Sequence, residues 1–261
     1  MISLREKLAH VPSATARGVL NVLLPLRCMC CDTRVGSEDG LCPVCWNSMP
    51  FIEKPVCHRL GIPFSYDVGE EAWSPRAIAS PPVFDRLRSV AFYEGSAQSL
   101  VLAFKFGGRR ELARPMGKWM VSAGREFLSP DSLIIPVPLH WLRLLSRRFN
   151  QSAALAQVIA KECGAAYEPD LLTRHKRTRQ QVGLTAKERQ KNVRSAFRIA
   201  AGRSGDLDGR HVVLIDDVMT TGSTIAACTK TLLSAGASSV DVLTFALADP
   251  SRSDQEETAI L

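Results

Sequence analysis

The chain has 261 residues, with 33 Lys and Arg against 26 Asp and Glu, a formal net charge of +7 and 46% hydrophobic residues; its mean hydropathy is −0.00. That length and apolar fraction support one mid-sized domain, or one domain plus a small module, and exclude wholesale disorder. The longest apolar candidate, Val19 to Leu26, is broken by Asn21 and Pro25 and falls short of the roughly 18 residues of a membrane helix. Glu6 follows Arg5 and no small-residue cleavage site ends an apolar core, so a cytoplasmic protein with no membrane span and no secretory leader is expected.

In chain order, residues 1–26 read as a helix followed by a short apolar stretch. Residues 28–65 are rich in Cys and Pro without a strong period, and 66–84, with Pro75, Pro81 and Pro82, read as a linker. From Arg88 strands and helices alternate. The pattern predicts a strand over Ser89–Tyr93, a helix over Ala97–Phe104 and a longer helix over Glu111–Leu128 with Pro115 in its first turn. A strand over Leu133–Val137 and an amphipathic helix over Ser152–Cys163 stopped by Gly164 follow. The apolar run Val212–Ile215 reads as a central parallel strand, Thr224–Ala235 as a helix and Val240–Ala246 as a closing strand. This alternation implies an α/β fold with an open, mostly parallel sheet flanked by helices. The expected organisation is a helix and Cys-rich module over 1–65, a linker over 66–87, the α/β domain over 88–249 and a polar tail over 250–261.

Six of the eight cysteines lie between Cys28 and Cys57, and clustered thiols in a reducing compartment point to metal before disulfides. Cys28-x-x-Cys31, ten residues, then Cys42-x-x-Cys45 supplies the four thiolates of a closed, structural Zn²⁺ site. Cys30 is an alternative ligand to Cys28 or Cys31. Taken alone, Cys42-Pro43-Val44-Cys45 also suits a redox pair, but that leaves Cys28 and Cys31 without a purpose. Cys163 and Cys228 read as small buried hydrophobes.

The positive charge is concentrated. Between Leu171 and Ala200 there are nine Lys and Arg and one acid, Glu188, so this segment alone carries +8; Arg143, Arg147 and Arg148 form a second cluster. Such a run is either a solvated basic loop or the contact for an anionic partner, phosphate or nucleic acid, and its concentration argues for the partner.

The most informative stretch is Val212-Val213-Leu214-Ile215-Asp216-Asp217-Val218-Met219-Thr220-Thr221-Gly222-Ser223-Thr224. An apolar strand leads into two adjacent carboxylates, a small hydroxylated loop with one glycine, and a helix start. In an open α/β sheet ligands bind beyond the carboxyl ends of the strands. There the loop's N–H groups, its hydroxyls and the positive helix end make an anion cradle. Ionised Asp216 and Asp217 only accept hydrogen bonds, which suits sugar hydroxyls or water on Mg²⁺. A phosphate cradle beside hydroxyl acceptors describes a ribose 5-phosphate, and no Gly-x-x-x-x-Gly-Lys motif points to a nucleoside triphosphate.

This stretch resembles the 5-phosphoribosyl 1-pyrophosphate (PRPP) loop of type I phosphoribosyltransferases. The wider chain resembles the ComF-like family (competence protein F, also described as amidophosphoribosyltransferase-like). That wider likeness rests on Phe104-Lys105-Phe106-Gly107-Gly108-Arg109, Ile134-Ile135-Pro136-Val137-Pro138, Arg147-Arg148-Phe149-Asn150-Gln151 and the run from Thr178-Arg179-Gln180-Gln181 through Leu184, Arg189, Asn192, Val193 and Phe197. It implies a type I phosphoribosyltransferase domain behind an N-terminal zinc-ribbon module. Asp216 and Asp217 would hold the ribose 2′- and 3′-hydroxyls, and Val218 and Met219 would lead into Thr220, Thr221, Gly222, Ser223 and Thr224 around the 5′-phosphate. Pro138, Leu139 and His140, continuing to Leu142, stand where the pyrophosphate loop would be. The basic run Arg174–Arg198 would be the loop that closes over the site, with Arg177, Arg179 and Arg189 on the leaving group beside catalytic Asp216 and Asp217. In the Cys-rich module this sequence departs from the family pattern: Cys57-His58-Arg59-Leu60 has leucine at the second cysteine position and Glu71-Ala72-Trp73-Ser74-Pro75 lacks a pair. Two functions follow from the resemblance. One is a PRPP- and Mg²⁺-dependent transferase with an unknown acceptor, related to competence and DNA uptake. The other is a non-catalytic PRPP- or nucleotide-sensing factor that contacts single-stranded DNA or the competence machinery.

Overall fold

The computed structural model describes residues 26–36, 40–69, 71–139, 149–175 and 196–249. The chain forms two compact units, Met1–Ser48 and Met49–Leu261. In the first, Cys42 caps the short helix α1 (Pro43–Asn47), its sulfur accepting from the Cys45 N–H, with a proline in the first turn where no donor is lost.

The second unit opens with helix α2 (Pro75–Ala79), capped by Ser74. It lies within the stretch that reads as a linker, and Ala77 and Phe84 are buried in the core there. Then come β1 (Leu87–Phe92), α3 (Gly95–Phe106), a 3₁₀ turn over Arg110–Leu112, α4 (Ala113–Gly124) and β2 (Leu133–Pro136). Next are α5 (Gln151–Cys163), β3 (Ala166–Tyr167), β4 (Leu172–Arg174) and β5 (Phe197–Ile199). The chain then runs through β6 (His211–Met219), α6 (Ser223–Ser234) and β7 (Ser239–Leu247). Five strands form one sheet in the order β1-β7-β6-β2-β3, every pairing parallel, and β4 and β5 form an antiparallel pair. This is the open parallel sheet flanked by helices that the alternation predicts.

Alternation along the strands sends side chains to two faces. Leu133, Ile135, Val212, Leu214, Val240 and Val242 share a core with Ile225, Cys228 and Leu232 of α6. Ile134, Val213, Ile215 and Leu243 are fully buried in alternation with these, on the side where α4 and α5 pack together against the sheet. Cys228 is buried as expected, whereas Cys163, at the end of α5, is only half-buried.

Beyond Ile215, where the apolar run stops, β6 continues to Met219. Pairing of Asp216 with Thr244, Val218 with Ala246 and Met219 with Leu247 carries it on, a tertiary contact overriding weak local propensity. At the other end of the sheet, buried Asp241 accepts from Arg86 (Nη2 2.6 Å, Nε 3.0 Å) and lies 2.9 Å from His211 Nε2. Burial would push its carboxyl up, but the bonds to His211 and Arg86 outweigh that and hold it below the usual range.

From β2 the chain leaves through α5 to β3, and from β6 through α6 to β7, on opposite sides of the adjacent pair β2-β6. That pair is the topological switch point, and its carboxyl edge is where this architecture opens a crevice.

Candidate functional site

Near that edge β6 carries Asp216 and Asp217, before it ends at Met219. Asp216 Oδ1 accepts from Ser152 Oγ at 2.8 Å and from the Asp217 N–H at 2.9 Å. Asp217 is buried and pairs with Lys105 Nζ at 3.0 Å. Ser152 is placed by the first turn of α5, whose cap residue Asn150 accepts from the Ser152 N–H (3.0 Å) and donates to Val137 O (3.3 Å). The Val137 N–H in turn donates to Ile215 O at 2.9 Å. Loop, helix cap and carboxylates are thus one hydrogen-bonded assembly. Lys105 pairs with Asp217 directly, and its charge also acts on Asp216. Burial, then the neighbouring Asp217, pushes the Asp216 carboxyl up to about 7, against the opposing pull of Ser152 and Lys105.

Past Met219 the chain turns through Thr220, Thr221 and Gly222 into α6. Gly222, with φ of 71°, is the helix cap and supplies no side-chain acceptor. The positive φ favours glycine, and a Cβ here would stand 2.9 Å from Met219 Cε. Ser223 and Thr224 follow the cap instead of serving as it, so simple helix capping does not account for the hydroxyl-rich loop. The Thr221 and Ser223 hydroxyls lie 3.0 Å apart. Asp216 and residues 218–225 line an open concavity of about 260 Å³ including its solvent-facing mouth. The first-turn N–H groups and positive dipole of the twelve-residue α6 open onto it.

Of the residues singled out from the sequence, Asp216 and Val218–Thr224 line this one concavity, with Asp217 beside it. Pro138, buried, and Leu139, half-buried, follow β2, the strand next to β6. His140, Arg177, Arg179 and Arg189 lie outside the described residues. Their basic run is bracketed by the strands of the β4–β5 pair. Sequence reasoning gave no role to Lys105, Asn150 or Ser152. No spacing links them to Asp216 and Asp217, and a lysine in the last turn of α3 reads as an ordinary helix-end charge.

In the first unit the sulfurs of Cys28, Cys31, Cys42 and Cys45 all lie within 4.8 Å of one another, Cys31 and Cys42 at 3.5 Å. Tetrahedral zinc with bonds of about 2.3 Å needs sulfurs roughly 3.8 Å apart. N–H groups of Cys30 and Cys42 donate to the Cys28 sulfur (3.4 and 3.3 Å) and fix its orientation. Cys30 lies outside the four. The Thr33 hydroxyl and N–H pull the Cys31 thiol down to about 6, while burial and neighbouring sulfurs push Cys45 far up. Four thiolates this close need a cation, and the donor set fits structural zinc. Among the described residues no other group of three or more His, Cys, Asp or Glu is arranged for a metal, and no helix is long and apolar enough to cross a membrane.

Comparison with known proteins agrees with both halves. Residues 19–76 match the double zinc ribbon domain and residues 150–260 the phosphoribosyl transferase domain. The chain is 32% identical over 211 residues to the DNA utilization protein YhgH of Shigella flexneri, covering 78% of this chain and 88% of that one. It is 28% identical over 222 residues to competence protein F of Haemophilus influenzae, covering 83% and 94%. A hypoxanthine phosphoribosyltransferase structure from Staphylococcus aureus aligns with 17% identity and a TM-score of 0.37, over 55% of this chain and 66% of that one.

Proposed function

Since the chain belongs to the family of the DNA utilization protein YhgH and competence protein F, we propose that its phosphoribosyl transferase domain binds PRPP with Mg²⁺ at the carboxyl edge of β6 and transfers the phosphoribosyl group to an acceptor. The observation that carries this reading is the α6 start at Gly222, which has no side-chain cap, opening beside the adjacent carboxylates at the β2-β6 switch point. The N–H groups and hydroxyls of Thr220–Thr224 donate to the 5′-phosphate. Asp216 accepts from the ribose hydroxyls. Asp217, paired with Lys105 Nζ at 3.0 Å, faces the positive charge that develops on the sugar as the bond from its anomeric carbon to pyrophosphate breaks. The loop at Pro138, Leu139 and His140, and Arg177, Arg179 and Arg189 of the basic run, take up the charge on the departing pyrophosphate. The carboxylates are hard oxygen donors of the kind Mg²⁺ accepts, and that ion, when bound, would neutralise the leaving group.

Calorimetry tests this directly: PRPP with Mg²⁺ is expected to bind, and no heat at any accessible concentration would overturn the reading. Ribose hydroxyls require ionised Asp216, whose carboxyl titrates at about 7. Affinity is therefore expected to rise with pH up to about 7 and level off above it, falling roughly tenfold per unit below. Because the ligand's phosphates titrate too, the informative quantity is the difference in slope between the parent and Asp216→Asn; equal slopes would remove Asp216 from the site.

The charge of +8 over residues 171–200 favours a second role for the same run, contact with single-stranded DNA. No aromatic residue lies between Lys176 and Arg194, so this contact is to backbone phosphates instead of stacked bases. Filter binding across a salt series is expected to lose affinity with a slope of about −0.7 per phosphate contacted; a flat response would eliminate DNA as a partner.

A further inference from the structure

Residues 55–80 repeat, bond for bond, the backbone of the four-cysteine cluster. The Cys28 N–H donates to Thr33 O and the Cys57 N–H to Ile62 O, both at 2.7 Å. Met29 to Gly40 (3.2 Å) is matched by His58 to Ala72 (2.8 Å), Asp32 to Cys28 (3.1 Å) by Gly61 to Cys57 (2.8 Å), and Val35 to Leu26 (2.9 Å) by Phe64 to Pro55 (2.8 Å). Antiparallel bridges Arg27–Arg34 and Val56–Pro63 close the two turns. The fourth residue after each cysteine has a positive φ, 60° at Asp32 and 61° at Gly61. Each repeat then runs into a five-residue helix with a proline in its first turn. Cys42 sulfur accepts from the Cys45 N–H (3.5 Å) in one, and Ser74 Oγ from the Ala77 N–H (3.3 Å) in the other. Finally, the Cys42 N–H donates to the Cys28 sulfur at 3.3 Å, as the Ser74 N–H donates to the Cys57 sulfur at 3.2 Å.

This correspondence places Cys57, Leu60, Ser74 and Ala77 where Cys28, Cys31, Cys42 and Cys45 stand. The only change in spacing is in the loop between the half-sites, thirteen residues instead of ten. One thiol, one hydroxyl already committed to a helix cap and two hydrocarbon side chains do not make a zinc site. Other contacts hold the second repeat. Cys57, Leu60 and Ala77 are buried in the same core as Phe84 and Leu87. Arg59 donates to Pro82 O (3.1 Å) and Phe84 O (2.5 Å) and stacks 5.1 Å from the Trp73 ring. The Leu87 N–H donates to Arg59 O (2.8 Å), and Arg88 donates to His58 O (3.0 Å). Gly61 is bare against the Leu87 carbonyl, where a Cβ would collide.

We propose that residues 55–80 are a zinc ribbon that has lost its metal and is fastened instead to β1, so that of the two ribbons only the one at Cys28, Cys31, Cys42 and Cys45 depends on zinc. The test is metal analysis of the purified full chain and two variants. The parent is expected to hold one zinc per chain, and Cys57→Ala to hold the same amount. The triple variant Leu60→Cys, Ser74→Cys, Ala77→Cys, which rebuilds the ligand set, is expected to gain one. Two zinc ions in the parent, or loss of metal in Cys57→Ala, would overturn the proposal, as would a folded triple variant that gains none. Should the triple variant fail to fold, the parent and Cys57→Ala decide the question alone. Because the triple variant is read as a gain of one over the parent, this test stands apart from whether the first cluster itself holds zinc.

Discussion

Replacing Asp216 and Asp217 together by Asn is expected to abolish PRPP binding in calorimetry. An amide keeps one acceptor oxygen but loses the charge, and a hydrogen bond to a charged group is worth about 1.5–3 kcal/mol. Two of them amount to about 3–6 kcal/mol, a fall of roughly 10²–10⁴-fold in affinity. Asp217→Asn also removes the partner of Lys105, whose side chain is 16% exposed, so a thermal melt of the variant must accompany the titration; a cooperative transition near that of the parent makes the loss a property of the site. Ser152→Ala separates positioning from contact. It removes the 2.8 Å bond that orients Asp216 while leaving both carboxylates, and is expected to cost only a few-fold. Binding by the double variant within threefold of the parent would discard the assignment of these carboxylates.

What was legible in the sequence was whatever its neighbours along the chain determine. Val212–Ile215 is apolar on both faces because β6 is covered on both sides, and the acids, hydroxyls and Gly222 that follow are contiguous, so nearly all the residues lining the concavity stand in one stretch. Lys105, though it stands in a segment that carries the family likeness, and Ser152 had no legible role, because their relation to Asp217 and Asp216 is made only when α3 and α5 fold against β6. The end of β6 was misplaced for the same reason: its last residues are strand because β7 pairs with them. Helix α2 was hidden among prolines, five residues long, with Ser74 as a cap whose meaning becomes plain only beside Cys42 in the first repeat. The strands β4 and β5 are three residues each, too short for any period to register, and they bracket in sequence the basic run that charge and family likeness mark.

Cys42→Ser is expected to remove zinc and unfold the first unit while PRPP binding survives. Among the described residues its core consists of Cys28, Cys42 and Cys45, with Cys30, Val35 and Leu41 partly buried against them. A core that small does not hold a fold of this length without a metal. Structural zinc in comparable peptides contributes an apparent 10–16 kcal/mol, roughly, and that binding energy is the folding energy. Serine is the informative replacement because its hydroxyl can cap α1 as Ser74 caps α2, so what is lost is the thiolate and not the helix start. Metal content should fall to near zero. The proposed PRPP site, built wholly from residues beyond Ser48, should titrate as in the parent. Zinc retained at parental levels in Cys42→Ser, or a parent that purifies without metal, would end the structural-zinc assignment while leaving the phosphoribosyl site untouched.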